Sequence, residues 1–161
     1  MYICKPERNV RQVRLLLWGS VIVTAGLFLI ATLTEQYTSA VRMLAMIALM
    51  AAILLNVRYS LTEYEYIVEN GDFSVVRITG NRRQTVCCVA LSTAISLLEK
   101  RDYDHLPSNE KGIIKYSLNQ NMKADSYVFL CDFNGKRAMI EFEPNAAFVS
   151  IMKREISLNK E

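Results

Sequence analysis

The chain has 161 residues, 52% of them hydrophobic, with 19 Lys and Arg against 16 Asp and Glu and a net charge of +3. Residues 58–161 hold 14 Lys and Arg against 14 Asp and Glu, so the excess lies wholly with Lys5, Arg8, Arg11, Arg14 and Arg42 against Glu7 and Glu35. The globular part is neutral and the excess is a membrane-flanking pattern, so nucleic acid is not an expected partner.

Residues 15–34 form 20 consecutive positions without a charge. At ~1.5 Å per residue such a run crosses a hydrocarbon core of ~30 Å. Its eleven Leu, Ile, Val and Phe residues favour insertion by roughly 3 to 7 kcal/mol. Residues 41–57 form a second span, broken only by Arg42, whose long stem can return its guanidinium to the nearer interface. Residues 35–40 are too few to hold a domain between them. The two runs read as a transmembrane hairpin, preceded by a basic segment, over residues 1–58. Lys5, Arg8, Arg11, Arg14 and Arg58 flank one side and Arg42 the other, so both termini are expected in the cytoplasm, as in a multi-pass protein of the cell membrane. Tyr37 is expected at the outer interface, Trp18 and Tyr59 at the inner one. Lipid offers no hydrophobic drive between helices, so the hairpin is expected to pack on small residues. Those are Gly19, Val23 and Gly26 of the first span and Ala45, Ala48 and Ala52 of the second; a dimer interface is the alternative use of these stripes.

From residue 59 the pattern changes to period-two alternation, and residues 59–161 read as a strand-rich cytoplasmic domain. Tyr64, Tyr66 and Val68 alternate with Glu63, Glu65 and Ile67, which predicts a strand with the carboxylates outward. Asn70-Gly71-Asp72 is a tight hairpin turn into residues 73–79. Gly80-Asn81 leads to a strand over 84–91, and 94–98 is a short fourth strand of the same antiparallel meander. Residues 100–110, with Asp102, Asp104, Pro107, Ser108 and Asn109, read as an irregular surface loop. Residues 113–118 and 127–133 are further strands, and Asn134-Gly135 turns the latter into 137–142. Pro144 suits the entry to a helix over about 145–157, in which Phe148, Ile151, Met152 and Ile156 recur at helical spacing.

About seven short strands closed by one C-terminal helix is the layout of an α+β chain in which a transmembrane hairpin precedes an antiparallel pleckstrin-homology-like split β-barrel. The order of two spans, EYEYIVENGDF, Gly80-Asn81-Arg82-Arg83, YVFLCDFNGKRAMIEFEPN and a terminal helix resembles a family of small two-transmembrane-helix proteins of Gram-positive bacteria with such a C-terminal domain. The resemblance implies a fold and a membrane topology, and carries over no catalytic residue.

The side chains themselves argue against chemistry. The single histidine, His105, stands beside Asp104 with no serine or cysteine aligned to it, so no nucleophile and base are paired. Cys4, Cys87, Cys88 and Cys131 contain no C-x-x-C pair, which argues against zinc and for reduced thiols packed as small apolar groups; a vicinal disulfide or redox switch at Cys87-Cys88 is the alternative. Asp102, Asp104 and Glu110 lack the spacing and the glycine of a calcium loop. No cofactor is expected, and the chain reads as a non-enzyme. Arg82 and Arg83 after a hairpin turn, aided by Lys100 and Arg101, are candidates for contact with an anionic lipid headgroup or a partner; their other reading is ordinary solvated charge. The function expected is a membrane-anchored adapter or scaffold module that meets the lipid bilayer and another membrane or cytoplasmic protein. The alternative is a lipid-sensing or accessory subunit of a larger membrane complex.

Overall fold

The computed structural model describes residues 1–33, 38–122 and 124–159. Tyr37, with residues 34–36, lies outside these residues. The chain divides into two compact units, residues 9–62 and residues 1–8 together with 63–161.

The first unit holds helices α1 (Val10–Leu33) and α2 (Thr38–Asn56), followed by a π-helical turn, Val57–Leu61. Asn9 starts α1 by accepting from the Gln12 amide at 3.2 Å, a side-chain cap. At ~1.5 Å per residue the 24 residues of α1 span about 36 Å, and both helices are long and apolar enough to cross a membrane. The helices do not meet on the expected glycine face. A Cβ added at Gly19 or Gly26 would touch nothing, and Val23 is exposed. The covered face of α1 runs through Ser20, Thr24, Leu27 and Ala31; that of α2 runs through Ala45, Ala48, Ala52 and Asn56, so the alanine stripe is used as expected and the glycine stripe is not. The reason is polarity. Ser20 and Thr24 donate to the carbonyls of Leu17 and Ser20, each at 2.8 Å, and Asn56 donates to Ser20 Oγ at 3.2 Å across the pair. The two hydroxyls are satisfied within their own helix, so the Asn56 amide, bonded to Ser20, is the polar group that fixes this face, and Leu15, Ile22, Leu29, Met46, Met50 and Leu54 lie outward.

The second unit is built from two four-stranded sheets and a terminal helix. Strands β1 (Tyr2–Cys4), β2 (Thr62–Glu69), β3 (Asp72–Thr79) and β4 (Arg82–Ala90) form the first sheet in that order. β5 (Ala94–Glu99), β6 (Ile114–Ser117), β7 (Tyr127–Phe133) and β8 (Lys136–Phe142) form the second, in the order β5-β7-β8-β6. Both asparagine-glycine turns take positive φ, 52° and 82° at Asn70 and Gly71 and 55° and 74° at Asn134 and Gly135, as tight hairpins require.

Four expectations are corrected. β1 adds a strand where a basic flank was expected: Tyr2 pairs with Val68 and Cys4 with Tyr66, antiparallel, so residues 1–8 belong to the sheet unit. In chain order the two helices are therefore inserted between two paired strands. The fourth strand leaves the meander, because a 3-10 turn at Leu91–Thr93 carries β5 into the second sheet beside β7. The sheets are not wholly antiparallel, since β6 pairs with β8 in parallel. Within residues 100–110 a short helix, α3 (Lys100–Asp104), replaces irregular loop; it seats Tyr103 on Val128, Leu130 and Met139, with Leu106 at its edge. Tyr103 and Leu106 are the apolar spacing that a loop dominated by Asp, Ser and Asn obscures.

Between the sheets lies an aromatic core. Phe73 meets Phe129 edge-on at 5.5 Å and Phe142 at 5.0 Å between ring centroids, and Tyr66 meets Phe142 edge-on at 5.3 Å. Helix α4 (Ala146–Leu158) closes it with Phe148 and Met152, with Ile156 packed against them, and Asn145 caps the helix by accepting from the Phe148 amide at 2.8 Å.

Candidate functional site

The four expected site cations divide into two that are engaged and two that are not. Arg83 donates to Glu65 Oε2, while Lys5 Nζ lies 2.5 Å from Glu65 Oε1. Each carboxylate oxygen thus has its own cation. Glu65 is 2% exposed, although its place in the alternation put it outward with the solvated carboxylates. A lone carboxylate buried to that degree would be strongly unfavourable, and Lys5 just after β1 and Arg83 in β4 supply the two charges that make it tolerable. Arg8 repeats the arrangement at the surface with Glu63, at 3.0 Å. The N-terminal cations Lys5 and Arg8 are thereby bound to the same sheet as the strand they follow.

Lys100 is also committed. Its Nζ lies 3.2 Å from Asp104, 3.7 Å from Glu141 and 5.2 Å from the ring centroid of Tyr103. Glu141 in turn accepts from Asn119 at 2.9 Å and Ser126 at 3.0 Å. This network ties α3, the strand β8 and the segment before β7 together, so the charge of Lys100 is largely spent within the fold. Arg82 and Arg101 are exposed and form no ion pair among the described residues. They do not converge: Arg82 opens β4 in one sheet and Arg101 lies on α3, which follows β5 of the other.

A surface cavity of about 380 Å³ opens beside α3, lined by Glu99, Lys100, Arg101, Asp125, Ser126 and Tyr127. Its charges are balanced, two carboxylates against two cations, which suits a polar partner surface better than a polyanion. Sequence reasoning missed Asp125 and Ser126, whose approach to Lys100 depends on the register of β5 on β7, Glu99 opposite Tyr127.

Three of the four thiols, Cys4, Cys87 and Cys131, are made unreactive by burial. All four are free; burial pushes Cys87 and Cys131 up to about 11, and it raises Cys4, whose sulfur accepts from the Asn145 amide at 3.5 Å. A thiol so raised is almost wholly protonated near neutrality and is a poor nucleophile. His105 ends α3 in an exposed position, and among the described residues no three His, Cys, Asp or Glu side chains converge as metal ligands.

Two packed sheets, an aromatic core and a capping C-terminal helix define a pleckstrin-homology-like domain, here accompanied by two apolar helices. Residues 3–159 match the family model "Bacterial PH-like domain (DUF6106)", and the chain belongs to that family. The match begins within β1 and runs through the helical hairpin. No curated protein and no solved structure matches the chain. A domain of this class is a protein-interaction or lipid-binding module.

Proposed function

We propose that the protein is a non-enzymatic adapter: the helical hairpin spans the cell membrane, both termini lie in the cytoplasm, and the PH-like domain recruits a protein to the membrane. The observation that carries this reading is the internal pairing of two of the four expected cations. Arg83 and Lys100, half of the expected headgroup contacts, are held by Glu65, Asp104 and Glu141. A domain that docks on anionic lipid keeps such charges free, since each contributes about 1 kcal/mol of attraction near the surface. Attachment is instead supplied by the outward apolar side chains of the hairpin, and the domain's surface is left for a protein. The excess of Lys and Arg next to the helix ends that adjoin β1 and β2 supports the cytoplasmic assignment.

The cavity beside α3 is where the partner is expected. Full-length protein and its Arg101→Glu variant, crosslinked in intact cells and purified in detergent, test this. A protein that is recovered with the wild type and lost from the variant, with membrane fractionation unchanged, supports the reading. Recovery of the same partner by both would move the contact elsewhere on the domain. Binding of the domain to anionic vesicles without any protein partner would overturn the adapter role.

A further inference from the structure

We propose that the N-terminal end of α1 is a binding site for one anionic phospholipid, with the phosphate on Arg11 and Arg14 and an acyl chain along Trp18, Gly19 and Ile22. The inference rests on the hairpin's spanning a membrane. An open groove of about 690 Å³ follows this face of the helix, lined by Arg11, Arg14, Leu15, Trp18, Gly19 and Ile22. These positions recur at intervals of three and four, so they share one stripe with the cations at one end and only apolar groups beyond. Arg11 and Arg14 immediately precede the uncharged run that opens at Leu15, which places them at headgroup depth in a spanning helix. One turn deeper, Trp18 is 60% exposed, an aromatic at the level of the glycerol backbone. The missing side chain at Gly19 leaves a notch against the helix, and a Cβ there would meet nothing.

Charge selects the occupant. Of the four cations before the first span, Lys5 and Arg8 are paired with Glu65 and Glu63, whereas Arg11 and Arg14 are exposed and form no ion pair among the described residues. Two adjacent guanidinium groups can hold a phosphate through several charge-assisted bonds. A zwitterionic lipid brings its own cation to the same place and gains less. A net anionic headgroup with chains in the bilayer satisfies both ends of the groove.

Trp18 is the only tryptophan, so its fluorescence reports this groove alone. Full-length protein in neutral detergent micelles is titrated with phosphatidylglycerol or phosphatidylcholine carrying brominated acyl chains, which quench on contact. Half-quenching is expected at a roughly thirtyfold lower mole fraction of phosphatidylglycerol, as two surface cations at about 1 kcal/mol each imply. The preference should vanish in Arg11→Gln/Arg14→Gln and persist in Arg11→Lys/Arg14→Lys. Equal quenching of the wild type by both lipids, or an undiminished preference in the Gln variant, would overturn the site. Loss of the preference on adding millimolar glycerol phosphate would show a free-anion site and overturn the lipid assignment. Alkaline carbonate extraction of native membranes separates the two levels: a chain released by carbonate refutes the spanning hairpin itself, and a chain retained without lipid preference refutes only this site.

Discussion

Removing both cations that hold Glu65 should cost far more than removing Glu65. The carboxylate is 2% exposed, whereas Lys5 and Arg83 are 65% and 62% exposed. In Glu65→Gln the side chain keeps its volume and the two cations return to water, so the loss is that of half-exposed charge pairs, about 1 to 2 kcal/mol. In Lys5→Met/Arg83→Met the carboxylate stays buried with no countercharge, a loss of about 3 to 5 kcal/mol. Each single Met variant leaves one cation in place and should cost about 1 kcal/mol, so the pair is strongly non-additive. Adding Glu65→Gln to the double Met variant should restore roughly 2 kcal/mol, because the uncompensated charge is then gone. Urea, which does not screen charge, is the suitable denaturant, with near-ultraviolet circular dichroism of the aromatic core in the full-length protein in detergent as the signal. A double Met variant no less stable than Glu65→Gln, or no rescue in the triple variant, would refute the buried clamp.

Three further perturbations follow from the packing. A Cβ at Gly112 would stand 2.7 Å from Met139 Cβ and 2.8 Å from its backbone nitrogen; Gly112→Ala should therefore lower stability by about 1 to 3 kcal/mol in the same urea assay, since backbone cannot yield as a side-chain tip can. Phe148→Asp places an unpaired carboxylate where Phe148 is 2% exposed against the core; a loss of several kcal/mol is expected, and an unchanged melt would show α4 undocked. Cys87 and Cys131 are raised from 9.0 to about 11. The unfolded chain sheds these protons above pH 9.0 while the folded domain keeps them, so their contribution is intact below pH 9.0 and is lost between 9.0 and about 11, by up to ~1.4 kcal/mol per pH unit for each thiol. Urea titrations of wild type and Cys87→Ala/Cys131→Ala across that range should diverge in slope, and parallel curves would contradict it.

What could be read from the sequence was local and apolar. The hairpins at Asn70-Gly71 and Asn134-Gly135, the strands they join and the capped helix after Asn145 are specified by neighbours within a few residues, and the structure reproduces them to within a residue or two. Pairings across long intervals were not legible. β1 has three residues and forms only because β2, more than fifty positions later, offers an edge, so no periodicity announces it. Glu65 looks like a solvated carboxylate until Lys5 and Arg83 are brought to it from either side, so Arg83 is paired where its turn position suggested a free cation. On the helices, small residues pointed to the glycine stripe, but the covered face is the one on which Asn56 bonds to Ser20 across the pair. Polarity within an apolar run was the better signal.

The most direct test of the account is topology in living cells, because a hairpin inserted between paired strands must return to the side it left. A reporter active only outside the cytoplasm is fused before Met1, after Glu161 or between the two helices, with membrane integration checked for each. Silent fusions at both termini and an active one between the helices are predicted. An active reporter at either terminus, or a silent one between the helices, would contradict the spanning hairpin and the cytoplasmic adapter together.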